Sequence, residues 1–553
     1  MKDSLSKSAL RYFEYLAKKF PVMCASDEFH FLPRVQAAGR YYDRLDNLEA
    51  GAIDECLADL KHFQKEFNLA ISLENDLEKH IDLELLNANI AGILIEFEKS
   101  RSWRHNPLLY LKIAFIGLDH ALTKPAKEQK ERIERTNARI SAIPRLLNQA
   151  MDNIVSIPQS YHQAASTMLN DCKEYLFEIG DNFLDESSKR LKNELQNLLS
   201  ALNDFSKFLS SISPLPDQSF AFRSLENSLK DHFLYTRSLD EVFEIAIDEW
   251  HENLKQLEKL QSKIDPGKSW QMLYHNHFPS DIKEMDTFSL YYREIEHMRL
   301  FFSKHGFRDK DIFSSLELAE TPTYLRSVRG AASFAAAFTA DQRETSLFYI
   351  TNRLPRQISN KAGNLLKKRL HREYKFLTAH ETIPGHHLLD SARRRLDNPI
   401  RRQIESPFFY EGWASYVESL LTEYGYINRP IEYLLDFKRR LWRSARCQID
   451  VGLHTGALSI EDAIILLTTV GFTLEESKRQ IDRFRLNPGY QIYYSLGSHE
   501  IQRLKESYES RIGKDKFHAF LLEGGELPFH LIKKRFEAAL GLIRYPHEYQ
   551  GQS

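Results

Sequence analysis

Residues His380–Asp390 read HETIPGHHLLD, and this stretch decides how the rest of the chain is interpreted. It begins like the zinc-binding signature H-E-x-x-H, in which two histidines four residues apart share one helix face and one Zn²⁺. Pro384 occupies the place of the second histidine. In a straight helix His386 and His387 would lie about 9 to 10.5 Å beyond His380 along the axis, too far to share a metal.

Pro384 and Gly385 offer a way to close this gap. Proline lacks a backbone donor and clashes with the carbonyl four residues earlier, and glycine accepts unusual dihedral angles. We therefore expect a distorted helix in which the extra residues form a bulge, so that the ring of His386 returns to the ring of His380. A catalytic zinc also needs a third ligand and a nearby carboxylate that takes a proton from water, a role that Glu381 could fill.

The third ligand is expected from the segment PFFYEGWASYVESLL, residues 407–421, which offers Glu411 and Glu418. Twenty-four residues lie between His386 and Glu411, enough for a loop and a returning helix. Glu411 follows Ser406 and a proline near a helix start, where the exposed amides favour a carboxylate. Alone it would be interpreted as a solvated first-turn residue, but the upstream histidines favour a ligand.

These motifs carry a resemblance to a known family. HETIPGHH followed by FYEGWASYVE resembles the bacterial domain-of-unknown-function family eight-eight-five, whose hallmarks are H-E-x-x-P-G-H-H and E-G-W-A-x-Y-x-E. The segments RSARCQIDVGLHTGALS, NPGYQIYYSLG and FHAFLLEGGELPFHLI are similar to later blocks of the family, so the likeness covers essentially the whole chain. The chain departs from the family pattern at Leu389, Leu458 and Tyr490–Gln491, and these changes could alter the substrate pocket.

The resemblance implies a fold and a site. The family is grouped by likeness with the zincin-like metallopeptidases, closest to the helical oligopeptidases and carboxypeptidases. This implies a mostly α fold, with a large helical body and a small β-sheet beside the active-site helix. It also implies that His380, His386 and Glu411 bind Zn²⁺, that Glu381 is the general base, and that His386 rather than His387 is the ligand.

Supporting residues are expected after the Pro488–Gly489 turn. A hydroxyl or ring N–H aimed at a hydrated peptide carbonyl would stabilise its negative charge. Tyr493, Tyr494 and His499 are candidates, and Tyr494 matches a tyrosine of the family. Each tyrosine could equally be a packed core ring with a satisfied hydroxyl.

Arg446, Asp450 and His454 recur every four residues and so lie along one helix face. They form either an internal ion-pair ladder or a group in which Asp450 or His454 orients a ligand imidazole and assists catalysis. We also assign His387 and Glu418 to the support of the metal ligands or the substrate.

The pattern along the chain predicts two subdomains. Residues 1–265 are almost entirely helical in pattern and would form a cleft wall or lid, whereas residues 266–553 would form the catalytic subdomain. Short strands are expected at about residues 320–355. Among them SLFYIT, residues 346–351, is either a sheet edge that holds an extended substrate or a strand that only fills the sheet.

Composition limits the partners and the location. The 75 basic and 77 acidic side chains nearly balance, which argues against a nucleic-acid partner. Cys24, Cys56, Cys172 and Cys447 are widely scattered, which is typical of thiols in a reducing compartment. No segment approaches 18 unbroken apolar residues, so we expect a cytoplasmic protein with no membrane association.

These observations predict a zinc-dependent metallohydrolase that cleaves a peptide or a small amide in a cleft between helical subdomains. Two alternatives use the same residues. The protein could be a non-catalytic zincin-like scaffold that binds a peptide or protein partner, or a hydrolase of a non-peptide amide.

Overall fold

The computed structural model describes residues 4–183, 189–217, 223–282, 284–308, 312, 314–337, 343–351 and 360–543. Helices dominate these residues, which confirms the prediction of a mostly α protein with a small sheet. The helices of the first part are α1 (Ser4–Lys19), α2 (Ala50–Leu73), α3 (Leu77–Leu94), α4 (Pro107–Thr123), α5 (Gln129–Asn153), α6 (Gln159–Phe183), α7 (Lys189–Ser211), α8 (Arg223–Asn227) and α9 (Leu239–Ile264).

The second part contains the remaining helices and three strands. The helices are α10 (Trp270–Asn276), α11 (Thr287–Ser303), α12 (Asn360–Arg372), α13 (Tyr374–Glu381), α14 (His386–Arg394), α15 (Pro407–Glu423), α16 (Pro430–Thr455), α17 (Ile460–Thr469), α18 (Leu474–Arg485), α19 (Ile492–Ile512), α20 (Lys514–Gly524) and α21 (Phe529–Ala539). The strands are β1 (Leu316–Glu320), β2 (Ala332–Ala335) and β3 (Ser346–Ile350).

Helix α9 connects the two parts of the chain. Ser238 and Glu241 form a capping box at its start, which satisfies amides that would otherwise lack acceptors. The helix packs along α16, and one cluster of buried apolar side chains extends from Ala9 in α1 to Phe536 in α21. Apolar packing is thus continuous across residue 265, and the predicted boundary there stays a prediction.

The small sheet has the strand order β1-β3-β2, with β1 parallel and β2 antiparallel to β3. Leu318 and Phe348 pack with Tyr374 and Leu377 of α13, so the sheet lies against the helix that ends at the HE motif. The proposal that SLFYIT offers a free sheet edge is wrong, because it contains β3, which is paired on both sides. The edge strand near α13 is β2. Residues 338–342 and 352–355 of the predicted sheet region lie outside the described residues.

The four cysteines are buried and none forms a disulfide, in agreement with the thiols expected from their spacing. In the part of the chain that the structure describes, no helix is both long and apolar enough to cross a bilayer. The cytoplasmic location stays a prediction.

Candidate metal centre

The HETIPGHH segment contains a helix break. Helix α13 ends at Glu381, α14 begins at His386, and four residues with irregular backbone connect them. The expected bulge within one continuous helix is therefore wrong in detail, because proline and glycine end the first helix and allow a second to start. The result for the histidines is the one anticipated: the rings of His380 and His386 lie 4.7 Å apart at 82°.

Residue 385 must be glycine because residues 382–385 pass very close to the last carbonyl groups of α13. A Cβ at residue 385 would stand 2.0 Å from the carbonyl oxygen of His380 and 2.3 Å from that of Ala379. We expect Gly385→Ala to displace His386 and to lower zinc affinity by at least about 10- to 100-fold, as judged by competition with a chelator. Gly51→Ala is the matched control, because nothing lies within 4 Å of that position in α2. Unchanged zinc affinity in Gly385→Ala would contradict this account.

The EGWA motif holds α15 against the helix break. The indole Nε1 of Trp413 donates a hydrogen bond of 2.9 Å to the carbonyl of Pro384. Gly412 meets Gly497 of α19 so closely that a Cβ at residue 412 would stand 2.6 Å from the Gly497 backbone. The two sequence motifs are thus one structural unit, which brings Glu411 to the histidines.

His380, His386 and Glu411 form a compact, buried cluster. One ligand atom from each side chain lies within 4.8 Å of the others. Oε2 of Glu411 is 3.4 Å from Nε2 of His380 and 3.6 Å from Nε2 of His386. Ligand atoms at about 2.1 Å from a tetrahedral zinc are separated by roughly 3.3 to 3.4 Å, so the two distances to Oε2 are close to those expected around the ion.

The cluster is polar, buried and incompletely satisfied by the protein. Oε2 of Glu411 accepts no hydrogen bond from any described residue. Burial alone would raise the pKa of Glu411, but contacts with His380 and His386 outweigh burial and hold it well below its usual value. Burial likewise opposes charge on His380, yet Glu411 and Glu418 raise its pKa to about 9. A buried carboxylate oxygen without a donor between two imidazoles suits a cation.

A further carboxylate, Glu418, supports the ligand His380. Oε1 of Glu418 lies 3.0 Å from Nδ1 of His380, on the side of the ring that faces away from Glu411. Glu418 is itself held by Arg439 and Arg443 of α16. Such a carboxylate behind a histidine orients the ring and increases its basicity as a ligand.

The remaining residues of the HETIPGHH motif separate into two roles. His387 turns away from the cluster, and its Nε2 lies 3.0 Å from the carbonyl oxygen of Ser314. The cluster of possible metal ligands therefore includes His386 and excludes His387. Glu381 lines the same cavity as His380 and His386, and burial raises its pKa above the ordinary value.

Two of the residues predicted to assist the site also lie at this cavity. Tyr494 stacks over His380, with ring centroids 6.3 Å apart at 14°, and the guanidinium of Arg446 lies 3.9 Å from the Tyr494 ring on α19. Tyr493 points elsewhere. Its ring is buried against Phe233 and Phe408, which is the packed-core alternative.

The structure does not bring Asp450, His454 and His499 to the cluster. Asp450 accepts hydrogen bonds from the backbone amides of Gly489 and Gln491, at 3.0 and 2.9 Å, and so fixes the turn before α19. His454 pairs with Asp450 at 3.0 Å and lines a different cavity, which fits the ion-pair alternative rather than contact with a metal ligand. His499 lies beside Glu249 of α9.

Two tyrosines at the cluster were missed from the sequence. The hydroxyl of Tyr490 donates a hydrogen bond of 2.6 Å to Oε1 of Glu411, which leaves Oε2 for a cation. Tyr410 stacks on His386, with centroids 3.8 Å apart at 12°. One hint for the first was present in the sequence, since Tyr490 stands four residues before the candidate Tyr494, but the contact with Glu411 depends on how α15 and α19 pack.

The helical body, the three-stranded sheet and the buried His-His-Glu cluster define a helical protein with a candidate metal centre at an interior cavity. The chain belongs to the family described as bacterial protein of unknown function (DUF885), whose model matches residues 34–536. This confirms the family resemblance that the motifs indicated.

Two solved structures have a similar fold. A presumed lipoprotein of unknown function from Shewanella oneidensis matches with a TM-score of 0.75 and 18% identity, covering 96% of this chain and 99% of that chain. A presumed lipoprotein from Colwellia psychrerythraea matches with a TM-score of 0.74 and 16% identity, covering 98% and 99%. At these identities the likeness shows the fold alone. Comparison with curated protein sequences finds no significant match.

Proposed function

We propose that the protein is a zinc-dependent metallohydrolase that cleaves peptides. The observation that carries the proposal is the position of Oε2 of Glu411, 3.4 and 3.6 Å from the Nε2 atoms of His380 and His386. Two histidines and a glutamate with an adjoining cavity match the donor set of catalytic rather than structural zinc sites. The zincin-like grouping is part of this proposal, supported by the HE motif, a glutamate ligand on a following helix and a nearby sheet.

Zinc held by these three side chains would act as a Lewis acid and lower the pKa of water to about 7. Glu381 then accepts the proton of the attacking water and passes it to the leaving amine. Its burial and raised pKa suit it to this exchange, because a carboxylate is a better base when its pKa is closer to neutral. Tyr490 and Glu418 hold the ligands Glu411 and His380 during the reaction.

Tyr494 is placed to assist the reacting carbonyl. Its ring covers His380, and its hydroxyl interacts with both Glu411 and Arg446. Burial raises the pKa of Tyr494, so the hydroxyl keeps its proton at neutral pH and can donate it in a hydrogen bond. A donor aimed at the oxygen of the hydrated carbonyl stabilises the charge that develops there.

The surroundings of the cluster suit an extended peptide. The cavity at the cluster has a volume of about 260 Å³, and a second cavity of about 270 Å³ shares part of its wall, including Glu28, Arg483 and Tyr490. Strand β2 pairs with β3 on one side, and its residues Ala332–Phe334 line the cavity at the cluster. An edge strand beside a cavity can bind a peptide through main-chain hydrogen bonds with little sequence preference.

Zinc stoichiometry tests the proposal directly. We expect the metal-stripped protein to take up about one equivalent of Zn²⁺ and to gain hydrolysis of short peptides. His380→Ala and Glu411→Ala should lose both, as measured by elemental analysis and by amine release. His387→Ala is the matched control, because it removes a buried imidazole adjacent to the cluster and should keep the zinc. A wild-type protein that binds no zinc would refute the proposal, as would zinc binding that survives loss of His380.

The two alternative functions remain distinguishable. A scaffold would bind zinc and peptide without turnover, whereas a hydrolase of other amides would show turnover on anilides or N-acyl amides but not on peptides. Both cavity walls extend well past the cluster, which favours a peptide over a small amide.

A further inference from the structure

The cavity at the metal cluster contains arginines in two different electrostatic situations. Most of the guanidinium groups on its wall are paired with carboxylates. Arg34 pairs with Glu405, Arg329 with Asp27 and Glu28, Arg369 with Glu373, and Arg439 and Arg443 with Glu418. Among the residues that the structure describes, Arg446 and Arg483 have no carboxylate within ion-pair distance.

Arg446 is held rigidly by neutral groups. Its Nε donates a hydrogen bond of 2.8 Å to Oε1 of Gln491, and its Nη2 contacts the same oxygen. The guanidinium lies over the rings of Tyr494 and Trp442, at 3.9 and 4.9 Å. The two rings, the Gln491 amide and the Tyr494 hydroxyl are all uncharged, so they fix the position of the guanidinium and leave its charge uncompensated.

Arg483 is half-buried on α18 and has no hydrogen-bond acceptor among the described residues. Its Nη2 would lie 3.2 Å from a Cβ at residue 330, so the guanidinium packs against Gly330, close to the start of β2. Glu28 is close enough to act on it electrostatically, but that carboxylate already binds Lys112 and Arg329. Burial and, to a smaller degree, the charges of Arg446 and Arg369 lower the pKa of Arg483.

We propose that Arg446 and Arg483 form a binding site for a carboxylate group of the substrate. The inference rests on the proposed peptidase function, and it adds a substrate class: peptides that carry a carboxylate close to the bond that is cleaved. Guanidinium groups match a carboxylate through paired N–H donors, and two uncompensated arginines on one cavity wall favour an anionic ligand over a neutral one.

The arginine site lies close to the proposed metal ligands and therefore close to the peptide bond that would be cleaved. The Tyr494 ring neighbours both groups: its centre lies 3.9 Å from the guanidinium of Arg446 and 6.3 Å from the centre of the His380 ring. The cation and the proposed metal ligand His380 therefore share one aromatic ring as a neighbour. Each residue of an extended peptide spans about 3.3 to 3.6 Å, so the bound carboxylate lies one or two residues from the scissile bond. It comes either from the peptide C-terminus or from an acidic side chain.

A set of matched peptides tests the inference with the full-length protein. Each peptide has a blocked N-terminus, and the set varies the C-terminus between free acid and amide and one side chain between Glu and Gln. Binding to the metal-free protein is measured by calorimetry, and kcat/KM is measured after zinc is restored. We expect one carboxylate-bearing member to exceed its amide partner by about 10- to 100-fold in both measurements, because charge-assisted hydrogen bonds are lost with the amide.

Arg483→Gln and Arg446→Gln should each bring the ratio between acid and amide close to one, and Arg483→Lys should recover part of it. Arg479→Gln, an exposed position on the same helix, is the control and should keep the ratio. Preference for the free acid identifies the C-terminal carboxylate as the ligand, and preference for Glu over Gln identifies a side chain. Equal binding and turnover of all four peptides would overturn the inference, as would a ratio unchanged in Arg483→Gln.

The two measurements separate this inference from the proposed function. Discrimination in metal-free binding without zinc uptake or turnover would refute the peptidase and retain the carboxylate site. Turnover without discrimination would retain the peptidase and refute the carboxylate site.

Discussion

Glu381→Gln should lower the rate of peptide hydrolysis by about 10²- to 10⁴-fold while zinc stays bound at one equivalent. Glutamine has the size of glutamate but cannot accept a proton from water. Glu381 lines the cavity beside His380 and does not belong to the cluster of ligand atoms, so its replacement should leave the metal site intact. Initial rates and elemental analysis on the same preparation measure both quantities.

Glu405→Gln provides a matched control for this experiment. Glu405 also lines the cavity, but it pairs with Arg34 at 2.7 Å rather than adjoining the cluster. We expect its loss to change the rate by less than about tenfold. If zinc-loaded Glu381→Gln hydrolysed peptides at the wild-type rate, another group would be the base. A zinc-loaded wild-type protein without turnover on any peptide or amide would favour the scaffold alternative.

Local chemistry made the centre of the site predictable. The order of His, Glu, Pro, Gly and His in one short segment predicted a distorted helix with a bulge, and the structure has a helix break at Pro384–Gly385. The detail that was missed is the separation into two helices. A bulge and a break have the same local signal, and the break is in contact with Trp413, whose indole binds the Pro384 carbonyl from a segment far away in sequence.

Helix periodicity was less informative about the residues of α16. Arg446, Asp450 and His454 are four residues apart, and each such step turns about 40° beyond a full helical repeat. Over eight residues the direction changes by about 80°, so Arg446 reaches the cavity while His454 faces other neighbours. Spacing predicts which residues share a face, but not which element packs against that face.

Contacts between distant elements could not be predicted from one sequence. The order of the three strands puts β3 in the centre, and this order could not be derived from the composition of the strands alone. Tyr490 reaches Glu411 only because Gly412 and Gly497 allow α15 and α19 to approach closely. The family departures at Tyr490 and Gln491 acquire a physical meaning in the structure, since these residues contact Glu411 and Arg446.

Glu418→Gln should affect zinc binding and stability together. Glu418 is buried, and its two oxygens accept hydrogen bonds from Arg439 at 2.8 and 2.7 Å and from Arg443. Without its charge, Arg443 has no carboxylate partner among the described residues, whereas Arg439 keeps Glu373. Removing one partner from a buried ion pair typically costs about 3 to 5 kcal/mol, and we expect that loss in the unfolding free energy of the metal-free protein.

The same substitution weakens the support of His380. Loss of a carboxylate behind a metal-binding histidine usually lowers metal affinity by about 10- to 100-fold, and Glu418 lies 3.0 Å from Nδ1 of that ring. Denaturant titration and chelator competition measure the two effects. Glu423→Gln on the same helix is the control, because its pairing with Lys505 and Lys514 is partly exposed and should be worth about 0 to 1 kcal/mol.

A double variant separates the two roles of Glu418. In Glu418→Gln/Arg443→Met the buried charge without a partner is gone, so part of the stability should return. The zinc affinity should stay low, because the carboxylate beside His380 is still missing. If zinc affinity recovered together with stability, Glu418 would act on the metal site only through folding, and its assignment as the carboxylate that orients His380 would be wrong.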